Sequence, residues 1–294
     1  MEFSAVKALR CPHCGQRFSA QQVMDQSLAC AAGHSFDIAR QGYLNLLTGP
    51  GTKFVPDTAA MVAARDAFLD AGHYQLLSDA LAKHVGQLLT GADSQLIVDA
   101  GTGTGHYLHQ VLSAFSPSAR RPAAVGLDIS KFALRRAARR NPEALNIVWD
   151  LWRELPLGTG TADVVLVIFA PRNASEFARI LKPGGALIVV TPLPEHLAEI
   201  AAEVGMLGIQ DDKESALVAA MEGHFLPVQT QEIETELQLS PADVENVALM
   251  GPAGHHLDPL VLRERLARLP ERTAATAAFR VSVFRPLPVG QIAD

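Results

Sequence analysis

The chain reads as an α/β protein: a mostly parallel sheet with helices on both faces, preceded by a small module held together by a metal. Three observations predict this. From Gln95 onward, short apolar runs of strand length alternate with amphipathic stretches, the pattern of a parallel sheet. A glycine-rich turn joins the first apolar run to the stretch after it. All three cysteines, Cys11, Cys14 and Cys30, lie in the first tenth of the 294 residues. An odd, clustered set with no partner elsewhere suits a metal site completed by another ligand better than a disulfide framework.

The elements follow in order. Residues 1–50 are polar and short-segmented, and Gly49-Pro50-Gly51 reads as the breaker that ends them. Residues 51–94 form a helical region: over Asp57–Leu89, Met61, Ala64 and Phe68, then Leu76, Leu77 and Leu81, recur at helical spacing, interrupted at Gly72. Residues 95–294 form the main domain. Leu96–Ala100 is its first strand, with a helix to about Phe115; Ala123–Leu127 is the second, with a basic helix from Lys131. Asn146–Trp149, Val164–Phe169 and Ala186–Thr191 follow, the last two each leading into a helix. Val228–Leu239 and Ala278–Arg285, separated by a helix over Pro241–Met250, bring the expected sheet to seven strands.

Composition limits the function. Apolar stretches such as Ala162–Ala170 are far shorter than the roughly 20 residues of a membrane span. Met1–Arg10 has no apolar core of a secretory leader, so no membrane association and a cytoplasmic location are expected. The net charge of −6 argues against a nucleic-acid partner until its distribution is considered: residues 1–56 carry +2 and the remainder −8. A second basic run comprises Lys131, Arg135, Arg136, Arg139 and Arg140, with Arg120 and Arg121 nearby. Its spacing sets Lys131, Arg135 and Arg139 on one helical face, which is either a phosphate contact or an ordinary solvated face.

The cysteines sit in a C-x2-C…C-x3-H pattern, Cys11, Cys14, Cys30 and His34. Two such pairs, the first followed by Gly15 for a tight turn, converge on a tetrahedral Zn²⁺. Four protein ligands saturate the ion, so the site is structural, and the metal supplies stability that so small a module lacks. His13, inside the knuckle, is expected to face solvent.

The glycine turn, Asp99-Ala100-Gly101-Thr102-Gly103-Thr104-Gly105-His106, does not fit the dinucleotide pattern G-x-G-x-x-G, because its third glycine falls on His106. It resembles the first motif of Rossmann-like class I methyltransferases, whose loop accommodates the methionine part of S-adenosylmethionine. That resemblance marks Asp99, Gly101, Thr102, Gly103, Gly105 and His106 as cofactor-binding. It also places Asp128, with Ile129, at the ribose hydroxyls and Asp150, with Leu151, at the adenine. Phe169-Ala170-Pro171-Arg172-Asn173 follows the fourth strand, where parallel sheets gather reactive groups. Ala170, Pro171 and Asn173 are the candidate acceptor-positioning residues; the alternative is a turn in which Asn173 caps a helix.

With the zinc cluster and the glycine series together, the chain resembles the 23S ribosomal RNA guanine-N1-methyltransferases over almost its whole length. The residues that carry the resemblance are Cys11–Cys14, Cys30, Gly33–Asp37, Gly42–Leu47, Arg65, Phe68–Tyr74, Asp99–Gly105, Asp128–Lys131 and Lys182–Gly185. Phe169–Asn173 and Met250-Gly251-Pro252, with His256, Asp258 and Pro259, look more like the branch associated with tylosin resistance. The resemblance implies methyl transfer to a guanine in a domain II hairpin of 23S rRNA lining the peptide exit tunnel. It also implies a homodimer whose zinc modules and catalytic domains line an RNA cleft; the net positive charge of the N-terminal residues makes residues 1–50 the expected RNA-recognition module.

The chemistry expected is in-line attack of guanine N1 on the sulfonium methyl, after N1 loses its proton. Asp150 is one candidate acceptor for that proton, and Trp149, Trp152 or Phe169 could stack on the extruded base. Two other readings stand beside this one: a small-molecule methyltransferase with a structural zinc module, and a non-catalytic RNA-binding protein that keeps the fold.

Overall fold

The computed structural model describes residues 3–24, 27–49, 51–91, 94–115, 121–205 and 213–288. Arg120 and Pro50 lie outside the described residues. The chain opens with α1 (Phe3–Ala8), then an antiparallel three-stranded sheet, β1 (Phe18–Met24), β2 (Ser27–Cys30) and β3 (Ser35–Asp37), then β4 (Tyr43–Asn45). Helices α2 (Ala59–Asp70) and α3 (Gln75–Leu88) meet at Gly72, whose φ of 83° only glycine adopts without strain. Next come β5 (Leu96–Ala100), α4 (His106–Ser113), β6 (Ala123–Asp128), α5 (Lys131–Arg140), β7 (Leu145–Val148), β8 (Ala162–Ile168), α6 (Ala174–Ile180) and β9 (Leu181–Pro192). After α7 (Ala198–Val204) and α8 (Lys213–Met221) come β10 (Phe225–Leu239), α9 (Pro241–Met250), α10 (Pro259–Leu266) and β11 (Thr273–Pro286).

The large sheet has the order β10-β11-β9-β8-β5-β6-β7-β4. Strands β5 to β9 pair in parallel, and the antiparallel pair β10–β11 adds to β9 through β11, again antiparallel. Seven strands come from residues 95–294, as the apolar runs predict. The eighth, β4, pairs parallel to β7 at the far edge, Tyr43 opposite Asn146. Three residues with no alternating pattern give no strand signal of their own; the open edge of β7 recruits them. The closing strand pair is longer than the sequence suggests, with β11 beginning at Thr273 rather than Ala278, because its cross-strand ladder with β10 runs on to Leu239.

Period-2 alternation divides the core. Val98 and Ala100 of β5 and Val165 and Val167 of β8 face one side, while Ile97, Val164 and Leu166 face the other. The first side is covered by α6 and by the N-terminal segment: Ala5, Val6, Leu9, Cys11, Phe18, Leu28 and Cys30 share one core with the sheet. The second is covered by α3, α4, α7 and α9. The N-terminal segment is also hydrogen-bonded to the main domain, Arg10 N to Pro156 O at 2.9 Å and Gly158 N to Ala8 O at 2.8 Å. The described part of the N-terminal segment is therefore packed into the main core rather than tethered beside it. Among the described residues no helix is long and apolar enough to cross a membrane.

Candidate active site and metal centre

Cys11, Cys14, Cys30 and His34 converge, their ligating atoms all within 4.8 Å of one another. The turn is built locally: Gly15, at φ 67°, donates its N–H to Cys11 O at 2.8 Å, and Gly33, at φ 84°, donates to Cys30 O at 2.9 Å. Cys14 Sγ lies 3.7 Å from Cys30 Sγ, and His34 Nδ1 lies 3.7 Å from Cys11 Sγ and 3.5 Å from Cys30 Sγ. A tetrahedron with Zn–S bonds of about 2.3 Å has edges of about 3.8 Å, slightly less on the nitrogen side. The donor set fits Zn²⁺ bound through Nδ1. His13 is exposed, as expected, and stacks on Phe36 with ring centroids 5.8 Å apart.

The second centre lies where the strand order reverses. From β5 the chain runs outward through β6 and β7, then returns to β8 on the other side of β5. Ligands of open parallel sheets bind at such a switch point, outside the carboxyl ends of the strands. Gly101, Gly103 and Gly105 all have positive φ, 89°, 54° and 74°. Two of them are also needed for space. A Cβ on Gly101 would lie 2.3 Å from the Ala170 Cβ, and one on Gly105 would lie 2.7 Å from Asn141 Nδ2. The first contact joins the loop after β5 to the segment after β8, so the cofactor-loop and acceptor candidates meet there.

Asp128 ends β6 and shapes the loop as well as facing it. Its Oδ2 accepts from Gly103 N at 2.9 Å and its Oδ1 from Ser130 N at 2.8 Å. Burial raises its pKa against the opposing effect of those bonds, and burial together with the Asp128 charge pushes Asp99 up to about 7. The two carboxylates thus lie within electrostatic reach of one another, an arrangement relieved by a cationic ligand. The hydroxyls of Thr104 and Tyr107 are buried at the same loop without a partner among the described residues. A polar, positively charged ligand with hydroxyl and amino groups suits this lining, and S-adenosylmethionine is such a ligand.

The other candidates distribute unevenly. The His106 imidazole is turned toward α2 and α5, with Nδ1 2.9 Å from Arg140 and 3.4 Å from Asp70; burial, then Arg140, lowers its pKa. Ile129 follows Asp128 into the turn that Ser130 caps. Asp150 accepts from Thr52 Oγ1 at 2.8 Å and from Trp152 N at 3.0 Å, so both oxygens are engaged. Leu151 is buried, and its carbonyl accepts from Asn173 Nδ2 at 2.9 Å. Asn173 stands at the N-cap position of α6 but makes no side-chain cap bond. The simple helix-cap reading of this turn fails: Nδ2 is spent on Leu151, and Oδ1 accepts from the Ser175 hydroxyl at 3.1 Å rather than from a backbone N–H of α6. Pro171 is exposed beside it. Phe169 takes φ 53°, a strained conformation for a bulky residue, and holds its ring 45% exposed against Tyr107 and Phe279. Trp149 is core at 4% exposure, whereas Trp152 is 52% exposed.

Three residues emerge to which the sequence motifs assign no role. Arg65 donates to Asp57 and, at 2.7 Å, to Met250 O, and sits over Gly103. Arg172 is half-buried with no hydrogen bond or ion pair to a described residue, and burial works against its charge. Thr52 reaches Asp150 across 98 positions of sequence. Arg172 lies inside the Phe169–Asn173 segment, where its position after the fourth strand is a usable signal; the Thr52 contact has no local signal.

Comparison with known proteins accords with this geometry. Residues 9–49 match the model of the RlmA N-terminal zinc ribbon, and residues 97–185 match that of a methyltransferase domain. The chain is 43% identical over 288 residues to the 23S rRNA (guanine(748)-N(1))-methyltransferase of Streptomyces fradiae, covering 98% of this chain and 100% of that one. A Micromonospora griseorubida protein, in the 23S rRNA guanine-N(1) class by name, is 45% identical and covers 95% of this chain and 97% of its own. One solved chain, from the complex of the Haloferax volcanii Trm112 methyltransferase activator with a methyltransferase, covers 79% of this chain and 99% of its own. Its TM-score of 0.51 at 18% identity speaks for the fold alone. The chain belongs to the RlmA-type 23S ribosomal RNA guanine-N1-methyltransferases, S-adenosylmethionine-dependent enzymes of class I fold with an N-terminal zinc ribbon.

Proposed function

We propose that this enzyme methylates N1 of the guanine in the domain II hairpin that corresponds to guanine 748, the position printed in the name of its S. fradiae relative. The observation that carries the reading is identity of 43% across 98% of the chain, zinc ribbon and catalytic domain together. Mass mapping of rRNA from cells with and without the gene tests it. Methylation at another guanine, or none, overturns it. Tylosin susceptibility of the same pair of strains tests the associated resistance role.

Bound S-adenosylmethionine supplies an activated sulfonium methyl, so the protein's task is chiefly positioning. In this reading Asp128 receives the ribose hydroxyls, Asp150 and Leu151 border the adenine, and the loop from Asp99 through Gly101, Thr102, Gly103 and Gly105 to the start of α4 at His106 holds the methionine end. Ile129 lines the turn beneath the ribose. Phe169 offers a face to the extruded guanine. Ala170, Pro171 and Asn173, tethered to Leu151, fix the wall opposite. Arg172, with no partner among the described residues, is suited to an RNA phosphate or a guanine oxygen. Asp150 is a poor proton acceptor because both oxygens are already engaged.

One Zn²⁺ per chain, bound by Cys11, Cys14, Cys30 and His34, belongs to the same proposal, as do a cytoplasmic location and a homodimer whose zinc modules face the RNA. Sedimentation of the purified protein tests the dimer. The lining of Asp99, Asp128 and unpartnered hydroxyls favours an active methyltransferase over a non-catalytic RNA-binding protein.

A further inference from the structure

The segment between β4 and α2 is not a passive linker. It runs across the carboxyl ends of β6 and β7, pinned at both ends: Thr52 Oγ1 donates to Asp150 at 2.8 Å, and the Asp57 carbonyl accepts from Ser130 Oγ at 3.0 Å. Arg153 adds two clamps, donating to Thr48 O at 3.1 Å and to Gly51 O. The strap so fixed carries Lys53, Phe54 and Val55, and it displays them. Phe54 is 38% exposed and Val55 76%, with the Lys53 ammonium 5.5 Å from the centre of the Phe54 ring. The Phe54 N–H is itself bonded to Thr52 Oγ1 at 3.2 Å, which fixes the backbone beneath the aromatic ring.

The same Asp150 carboxylate fixes a second exposed aromatic. Its other oxygen accepts the Trp152 N–H at 3.0 Å, and Trp152 is 52% exposed. One buried carboxylate therefore orders two backbone segments far apart in sequence, and each presents a large aromatic face to solvent within two residues of its anchor. Leaving part of two such residues in water forgoes some of the stabilisation of burying them, and neither ring stacks on another ring among the described residues. Rigid aromatic faces beside a cation are the means by which proteins hold unpaired bases without reading sequence.

We propose that Phe54 and Trp152, with Lys53, form a stacking platform for the unpaired nucleotides that flank the target guanine, and that Asp150 is the positioning residue that assembles it. The inference rests on the RNA-methyltransferase reading above and deepens it. It commits to single-stranded RNA as the occupant because a base needs a flat π face and its phosphate needs the adjacent cation, and this strap supplies both.

The test uses full-length enzyme with a synthetic RNA hairpin of the domain II loop. The chain has two tryptophans and Trp149 is buried, so quenching of the intrinsic fluorescence by the hairpin reports on Trp152. Quenching is expected in the wild type and should vanish in Trp152→Leu. Phe54→Ala and Trp152→Leu should each raise KM for the hairpin roughly 5- to 150-fold, the range for loss of one base–aromatic stack. Calorimetric affinity for S-adenosylmethionine and kcat at saturating RNA should stay near wild type, and Phe54→Tyr and Trp152→Phe should restore most of the RNA affinity. Unchanged KM for the hairpin in the Phe54→Ala/Trp152→Leu double variant overturns the platform. A parallel loss of cofactor affinity also overturns it, by making the strap a cofactor lid. A wild-type enzyme that does not methylate the hairpin or intact 23S rRNA refutes the underlying function instead, so the two failures are distinguishable.

Discussion

Gly101→Ala perturbs the point where the glycine-rich loop proposed to hold the cofactor meets the segment after β8, and its cost can be worked from two separable terms. Gly101 sits at φ 89°, where an L side chain costs about 1–2 kcal/mol. The new Cβ would lie 2.3 Å from the Ala170 Cβ, an overlap that forces backbone shifts costing about 1–3 kcal/mol. Together the substitution should destabilise the fold by about 2–5 kcal/mol. It should also abolish measurable cofactor binding, because the loop must move. The two terms come apart in a double variant. Ala170→Gly alone should cost about 0.4–1 kcal/mol through unfolded-state entropy. In Gly101→Ala/Ala170→Gly the overlap disappears while the φ strain remains. The cycle should therefore show a favourable coupling of about 1–3 kcal/mol, measured by urea unfolding at constant m. Strictly additive effects would refute the reasoning, since they would mean that the two loops do not touch.

Three further outcomes follow from particular residues. Chelation of the metal, or Cys30→Ser, should lower the stability of the whole chain in a single transition, because Cys11, Cys30 and Leu28 share one core with β5 and β6; calorimetry showing an early separate transition for the N-terminal segment would count against this. Burial pushes Asp99 up to about 7, so in the free enzyme it holds its proton below that pH. Its ionisation then costs stability as pH rises from about 3.9, its unfolded value, through 7. Cofactor binding that uses the ionised form should tighten as pH rises through 7 and release a proton, and Asp99→Asn should flatten that profile in calorimetry. On α5, Arg140 is bonded to Asp66 and Asp70 at 2.8 Å each, whereas Lys131, Arg135 and Arg139 are exposed. Arg140→Ala should cost about 2 kcal/mol. Charge reversal of the exposed three should leave the melting temperature within a degree or two but reduce the salt dependence of hairpin binding, by a slope of ~0.7–0.9 for each phosphate no longer neutralised. No change in slope would make this an ordinary solvated face.

The sequence alone determined the parts of this protein whose signals are local. Strand-length apolar runs marked the parallel strands of the main sheet, because a strand buried on both faces must be apolar along its length, whereas β10 is exposed along most of its length and reads by alternation instead. Cys11, Cys14, Cys30 and His34 were legible because metal-ligand geometry demands short fixed spacings, and Gly101, Gly103 and Gly105 because positive φ and close approach exclude other residues. What tertiary structure decided is everything that depends on pairing across distance. A boundary at residue 50 follows from composition, yet β4 joins the edge of the large sheet and Leu9, Leu44 and Leu46 enter its core. Their removal would cost about 1.5–3 kcal/mol for each such side chain, so truncation there is not a clean division of labour. Helical spacing set Lys131, Arg135 and Arg139 on one face of the basic helix, and that face is exposed; that Arg136 and Arg140 are spent on α2 was decided by the fold. Asp150 resembled a cofactor contact by position alone; only the folded chain shows its carboxylate tying Thr52 to Trp152. A hydrogen bond between residues 52 and 150 leaves no periodicity, spacing or composition in either neighbourhood, so only the three-dimensional arrangement reveals it.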